Sequence, residues 1–263
     1  MDLGLKDKVA IVTAASKGIG KAVAVELAKE GAKVSICARE AGSLNGTRDE
    51  IAALGAEVLV VPADVTKKED VDRVINETAQ RFKRIDILVN NAGDAWAGHY
   101  IDQPDEAWKA AFDVNFYSAV YFTRGVVPYM RQQKWGRIIN IASVSGHSPL
   151  GGMVDYNSAK AAMLAFSKTL AIDLAKDGIL VNAVNPALVY TPLWERLADS
   201  LIPAVGQSRE EVFKNLAGQL LLVGRYGRPE EVAAVVAFLA SERSSFVVAA
   251  SWDVDGGFTK SIM

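Results

Sequence analysis

One cysteine, Cys37, in 263 residues excludes an internal disulfide and any metal centre built on several thiolates. Cys37 is read as a small buried hydrophobe. Histidine is nearly as scarce: His99 and His147 are the only two, so an imidazole-based metal site lacks partners, and His147 is read as a solvent-side loop residue. No charge of one sign dominates, because 29 Lys and Arg stand against 31 Asp and Glu for a formal net charge of −2. Such a balance offers no electrostatic footprint for nucleic acid or an anionic membrane, and a small-molecule partner is expected. No apolar run approaches the about 20 residues that span a bilayer. The most apolar late stretch, Val232 to Ala240, lies between Glu231 and Glu242 and is read as a buried helix. Asp2, Lys6, Asp7 and Lys8 precede a first apolar run too short and wrongly flanked for a secretory signal, so a cytoplasmic location is expected.

Repeats, low-complexity tracts and linker-like breaks are also missing, and a single domain over 1–263 is expected. What the chain has instead is alternation. Short β-branched runs recur at VAIVT (9–13), KVSIC (33–37), EVLVV (57–61), DILVN (86–90), RIINI (137–141), LVNAV (180–184) and SWDV (251–254). Between them lie stretches with apolar residues at three-to-four spacing, such as 21–31 and 69–82. This pattern predicts an α/β fold, a parallel sheet covered by helices on both faces. The region from Pro186 to Ser208 reads as irregular, followed by a capping-box helix start at Ser208-Arg209-Glu210-Glu211, and a substrate lid is expected at about 186–218.

Chemistry enters at two places. Directly after the first run comes TAASKGIG, Thr13 to Gly20, leading into a helix near Gly18; a glycine-bearing turn between a strand and a helix N-terminus makes an anion site for a dinucleotide. Farther on, Tyr156 and Lys160 open a helix of small apolar residues. At i and i+4 they share one face, so a phenol and an ammonium reach one point. Taken alone, such a pair occurs on many helices.

The motifs TAASKGIG, NNAG (90–93), Ser143, YNSAK (156–160) and DVDGG (253–257) together resemble the short-chain dehydrogenase/reductase family, in the branch of the 3-oxoacyl-acyl-carrier-protein reductases. The resemblance runs from about residue 6 to 257 in the family's order. It implies a single-domain, Rossmann-type, doubly wound sheet of about seven strands and a catalytic set of Asn115, Ser143, Tyr156 and Lys160. In that set Tyr156 exchanges the proton at the substrate oxygen, Lys160 lowers the tyrosine pKa, Ser143 donates to the substrate oxygen and Asn115 anchors a water; a purely structural role for Asn115 is the rival. A homotetramer or homodimer is implied too, with the helix after Lys160 in the interface or simply buried in the monomer.

A nicotinamide cofactor is implied, bound through Thr13, Ser16, Lys17, Gly18, Ile19, Gly20, Arg39, Asp64, Val65, Asn91, Ala92, Gly93, Tyr156, Lys160, Pro186 and Thr191. An acidic residue at the end of the second strand binds a ribose 2′-hydroxyl, whereas a basic one accommodates a 2′-phosphate. Here the acidic position falls on Ala38, followed by Arg39, with Lys17 nearby, which favours NADP(H) over NAD(H); a solvated Arg39 with Glu40 as the ribose partner is the alternative. Three departures stand out: Ala14 replaces a glycine and serves only if its φ is negative, Ala187 replaces another, and VVAAS (247–251) lacks a Thr-Gly.

Candidate substrate contacts are Trp96, Ser145, Leu150, Met153 and Trp194, in a pocket walled by 94–96, 147–153 and 189–201. Their apolar character suits a hydrophobic ketone or a 3-oxoacyl chain. Arg131, Lys134 and Arg137 form a short cationic stretch that serves either as a dock for an acidic carrier or as a solvated face. The expected activity is interconversion of a ketone and a secondary alcohol. An NAD-dependent sugar or polyol dehydrogenase and a non-catalytic dinucleotide-binding regulator are the alternatives.

Overall fold

The computed structural model describes residues 2–96, 102–206 and 208–260. Seven strands form one sheet: β1 (Val9–Thr13), β2 (Lys33–Ala38), β3 (Val58–Pro62), β4 (Ile87–Asn90), β5 (Gly136–Ile141), β6 (Ile179–Pro186) and β7 (Ser251–Val254). Their order is 3-2-1-4-5-6-7 and every pairing is parallel. All seven β-branched runs read from the sequence are strands, displaced by at most two residues at an end.

Within β1 successive residues serve opposite faces, as the two-residue strand period requires. Ala10 and Val12 join a core with α1 (Gly18–Lys29), α2 (Ala41–Ala53) and α9 (Pro229–Ala240), through Val23, Leu27, Ile51, Val232 and Val236. Ile11 joins the other core, built with α3 (Lys68–Phe82), α5 (Ser118–Gln133) and α6 (Val154–Leu174), through Val74, Phe122, Met130 and Leu174. Burial on both faces explains why the strands are apolar throughout. α6 is also registered by polar contacts: Asn90 Nδ2 donates to Asn140 Oδ1 (2.8 Å), and Asn140 Nδ2 donates to Ser167 Oγ (2.8 Å). Its outward face, with Ala161, Ala165 and Ile172, is exposed.

The reversal of strand order between β1 and β4 opens a crevice at the carboxyl ends of the strands, where ligands of such sheets bind. Above it lie α4 (Asp105–Phe112), α7 (Pro192–Val205) and α8 (Arg209–Leu220), with a single π-turn, Asp113–Tyr117, joining α4 to α5. The expectation of an irregular 186–208 is corrected here, since most of it is α7. Thr191 at the N-cap with Pro192 at the first helical position is a helix start. Ser208 and Glu211 do form the expected capping box on α8.

The opposite edge of the sheet is structural. Arg137 is buried rather than part of a cationic dock: it stacks on Trp135 (4.4 Å) and donates to the carbonyls of Gly136 and Ser241. Arg131 is engaged by Asp177. Among the described residues no helix is long and apolar enough to cross a membrane.

Candidate active site

The crevice is a cleft of about 690 Å³, within the range of small-molecule sites. One half is built around the β1–α1 turn. Gly18 begins α1 at φ +57°, and a side chain there would also press on Thr191. The helix starts with neither a side-chain cap nor an acidic residue in its first turn, so its amide groups and dipole are left for an external anion. Ser16, Lys17, Gly18 and Ile19 line the cleft here.

β2 ends at Ala38, opposite Pro62, and Arg39 follows at the rim. Neither Lys17 nor Arg39 has an ion-pair partner among the described residues, and both are exposed. Two unpaired cations beside an uncapped helix fit a phosphate-bearing ligand. Asp64 and Val65 line the next stretch. Burial acts to raise the Asp64 pKa, but hydrogen bonds from the Thr66 hydroxyl (2.7 Å) and N–H (3.1 Å), helped by Lys67 and Arg39, outweigh it and hold the carboxyl below its ordinary value. Asn91, Ala92, Gly93, Pro186 and Thr191 complete this half.

Thr13 and Gly20 stand behind the lining. Thr13 Oγ1 accepts from the N–H groups of Asn91 (2.9 Å) and Ala92 (3.0 Å), tying the turn after β4 to β1. Gly20 packs under the Asn91 amide and the Ala14 carbonyl. Ala14 lies in the cleft with φ +51°, so the requirement for a negative φ is not met. The turn keeps its left-handed residue and carries an alanine in it, as does Ala249 at φ +56°. Ala187 has no such φ and is free of this strain.

The other half holds Ser143, Tyr156 and Lys160. Ser143 lies two residues beyond the end of β5 and caps a short 3-10 turn, accepting from Ser145 N–H (3.1 Å). Its hydroxyl hydrogen-bonds Tyr156, in the first turn of α6. Lys160, one turn on, is buried; Nζ lies 5.7 Å from the Tyr156 ring centre and donates to the Ile141 carbonyl (2.9 Å). Burial draws Lys160 down to about 8. It also pushes Tyr156 up, against a lowering by the Ser143 hydrogen bond. Of these two effects on Tyr156, desolvation of the phenolate is the larger.

Asn115 is fully buried in the π-turn. Its amide donates to the carbonyls of Asp94 (2.8 Å) and Ala111 (2.9 Å), and Oδ1 accepts from Asp94 N–H (3.2 Å). It thus clamps the turn after β4 and does not line the cleft. Gly93 has to be glycine, since a Cβ there would stand 2.9 Å from Asn115 Oδ1 and 3.3 Å from Lys160 Nζ.

Trp96, Ser145, Leu150, Met153 and Trp194 all line the cleft. Phe258, beyond the last strand, lines it as well; the sequence reading missed it, although the glycines before it signal a turn. His147 faces away, paired with Asp253 (3.1 Å), and His99 lies outside the described residues. Cys37 is buried and its thiol is pushed up to about 12, which makes it inert. Among the described residues no cluster of acidic, His or Cys side chains could hold a metal ion.

Fold and site together define a dinucleotide-type α/β oxidoreductase. Residues 13–259 match the family model described as enoyl-(acyl carrier protein) reductase. The chain is 38% identical to a 3-oxoacyl-[acyl-carrier-protein] reductase of Synechocystis over 96% of its length and 97% of that protein's. Among solved structures, the L-sorbose reductase of Gluconobacter frateurii, complexed with NADPH and L-sorbose, matches with a TM-score of 0.96 at 38% identity, covering 100% of both chains. An actinorhodin polyketide ketoreductase with NADPH matches at 0.93 and 33%, over 97% of this chain and 98% of that one. The chain belongs to the short-chain dehydrogenase/reductase family, in the branch resembling 3-oxoacyl-acyl-carrier-protein reductases.

Proposed function

We propose that this protein is an NADP(H)-dependent oxidoreductase that interconverts a ketone, or a 3-oxoacyl group, with a secondary alcohol. The observation that carries the reading is the meeting of Ser143, Tyr156 and Lys160 in one cleft whose far half offers Lys17, Arg39 and the uncapped start of α1. The residues present suit the dinucleotide: Arg39 and Lys17 would hold its 2′-phosphate, Asp64 its adenine amine, and the α1 N-terminus its pyrophosphate. When bound, it supplies the hydride.

Ser143 donates to the ketone oxygen and keeps it beside the Tyr156 hydroxyl. Tyr156 gives its proton to that oxygen as negative charge develops there, and takes it back in the oxidising direction. Lys160, an ammonium below pH about 8, favours the phenolate that results. The relatives that reduce a 3-oxoacyl carrier and L-sorbose support a ketone substrate, and the apolar wall of Leu150, Met153 and Trp194 supports an acyl or other hydrophobic one.

The test begins with titration of NADPH and NADH by nicotinamide fluorescence, then measures NADPH oxidation with a panel of 3-oxoacyl thioesters, simple ketones and ketoses. NADPH is expected to bind more tightly, and Arg39→Asp to reverse the preference. Tyr156→Phe is expected to keep cofactor binding and lower kcat by about 10²–10⁴. Tight NADH binding with Arg39→Asp neutral, or an active Tyr156→Phe, would overturn the reading.

A further inference from the structure

The lid helix α7 touches the catalytic machinery through one polar contact. Arg196, in its second turn, forms an ion pair with Asp94 on the turn after β4, and both side chains line the substrate half of the cleft. Among the described residues no other hydrogen bond or ion pair joins α7 to that turn. Elsewhere α7 is held by α8 and by apolar packing: Arg209 of α8 grips Asp199 through two hydrogen bonds, Ala198 is buried against Val212 and Phe213, and Trp194 packs on Tyr226 (5.9 Å between ring centres) and on the cluster of Val144, Leu188 and Leu221.

Asp94 is fixed on its other sides by Asn115. That amide takes both the N–H and the carbonyl of Asp94, while Ala95 N–H (3.0 Å) occupies the carboxylate oxygen that Arg196 also uses. The residue before it, Gly93, leaves no slack between Asn115 and Lys160. A pull on the Asp94 carboxylate is therefore carried through its backbone to the buried Asn115 amide. The ion pair is half-exposed, with 50% of the Arg196 side chain and 27% of that of Asp94 accessible, and pairs of this kind are weak enough to part and re-form with each substrate.

We propose that Arg196 is a positioning residue: through Asp94 it closes α7 on the ketone half of the cleft and, by the same contact, fixes the Asn115 turn beside Lys160. The effect on turnover rests on the reductase reading; the closure itself does not. Closure of this kind excludes water and completes a site, and the group that fastens it acts on kcat more than on cofactor affinity.

The test uses the full chain as wild type, Arg196→Met, Arg196→Lys and Asp94→Asn, the last keeping an acceptor for Ala95 N–H. Hydrogen–deuterium exchange over 192–205 is expected to quicken about fivefold in Arg196→Met and Asp94→Asn, and to stay near wild type in Arg196→Lys. Raising salt is expected to quicken wild type and leave Arg196→Met unchanged. With a ketone substrate, kcat should fall in step with exchange while the NADPH dissociation constant holds. Equal exchange in all four proteins, or quicker exchange with kcat unmoved, would overturn the proposal. A wild type that reduces no ketone defeats the reductase reading alone, because the exchange measurement still decides whether the contact closes α7.

Discussion

Lys160 shows what burying a single charged group costs. An ammonium removed from water keeps one hydrogen bond, to the Ile141 carbonyl, and its pKa sinks from 10.5 to about 8. The unfolded chain holds this proton up to pH 10.5 whereas the folded one releases it near 8, so between those values the unfolded state binds more protons and folding stability from this group rises with pH. Below that window the burden is roughly 3 kcal/mol. Urea unfolding of wild type and Lys160→Met at several pH values checks this: the wild type is expected to gain about 3 kcal/mol relative to the variant between pH 7 and 10.5. A pH-independent difference would show that Lys160 is not desolvated. The same titration removes the positive charge beside Tyr156, so kcat/KM for reduction is expected to decline through pH 8, the value to which burial brings the lysine.

At the scale of the element, the turn between β1 and α1 carries an alanine at φ +51°, and the segment before β7 carries Ala249 at φ +56°. Left-handed alanine is strained by about 1 kcal/mol, more than glycine costs in the unfolded chain. Ala14→Gly and Ala249→Gly are each expected to raise Tm by about 1–2 °C, and Ala187→Gly, where φ is not positive, to lower it slightly. Calorimetry on the three variants decides the matter; a gain at Ala187 equal to that at Ala14 would rule out the backbone explanation. The strands and the Tyr156–Lys160 pair were legible in the sequence, because a parallel sheet buried on both faces writes continuous apolar runs and an i, i+4 pair needs no tertiary knowledge. Asn115 was legible as a residue and not as a clamp, since its partners, Asp94 and Ala111, come together only through the π-turn. The ion pair of Asp94 with Arg196 spans a separation along the chain that no local pattern reports. The φ of Ala14 was hidden too, because the usual signal for a left-handed residue is the glycine it lacks.

Across the whole molecule, function and stability occupy opposite edges of one sheet. The carboxyl ends of the strands carry the cleft, with its unpaired cations, its uncapped helix and its buried lysine. The amino ends carry a hydrogen-bonded polar cluster with Asp86 at its centre. Its carboxylate is fully buried and accepts from Val9 N–H (2.8 Å), from Arg84 Nε (2.7 Å) and Nη2 (2.6 Å), and from Gln133 Nε2 (3.1 Å), so that one side chain ties β1, β4 and the end of α5. Removing it leaves the buried Val9 N–H unmet while the half-exposed Arg84 turns to water, at a cost of about 1–3 kcal/mol. Asp86→Ala is therefore expected to lower Tm by roughly 2–9 °C. Below its transition the variant should bind NADPH and turn over as wild type does, since no contact of Asp86 reaches the cleft. Thermal melts with kcat measured well below Tm check both halves, and a fall in kcat of the folded variant would mean that the two edges are coupled through the strands, contrary to the division drawn from the contacts.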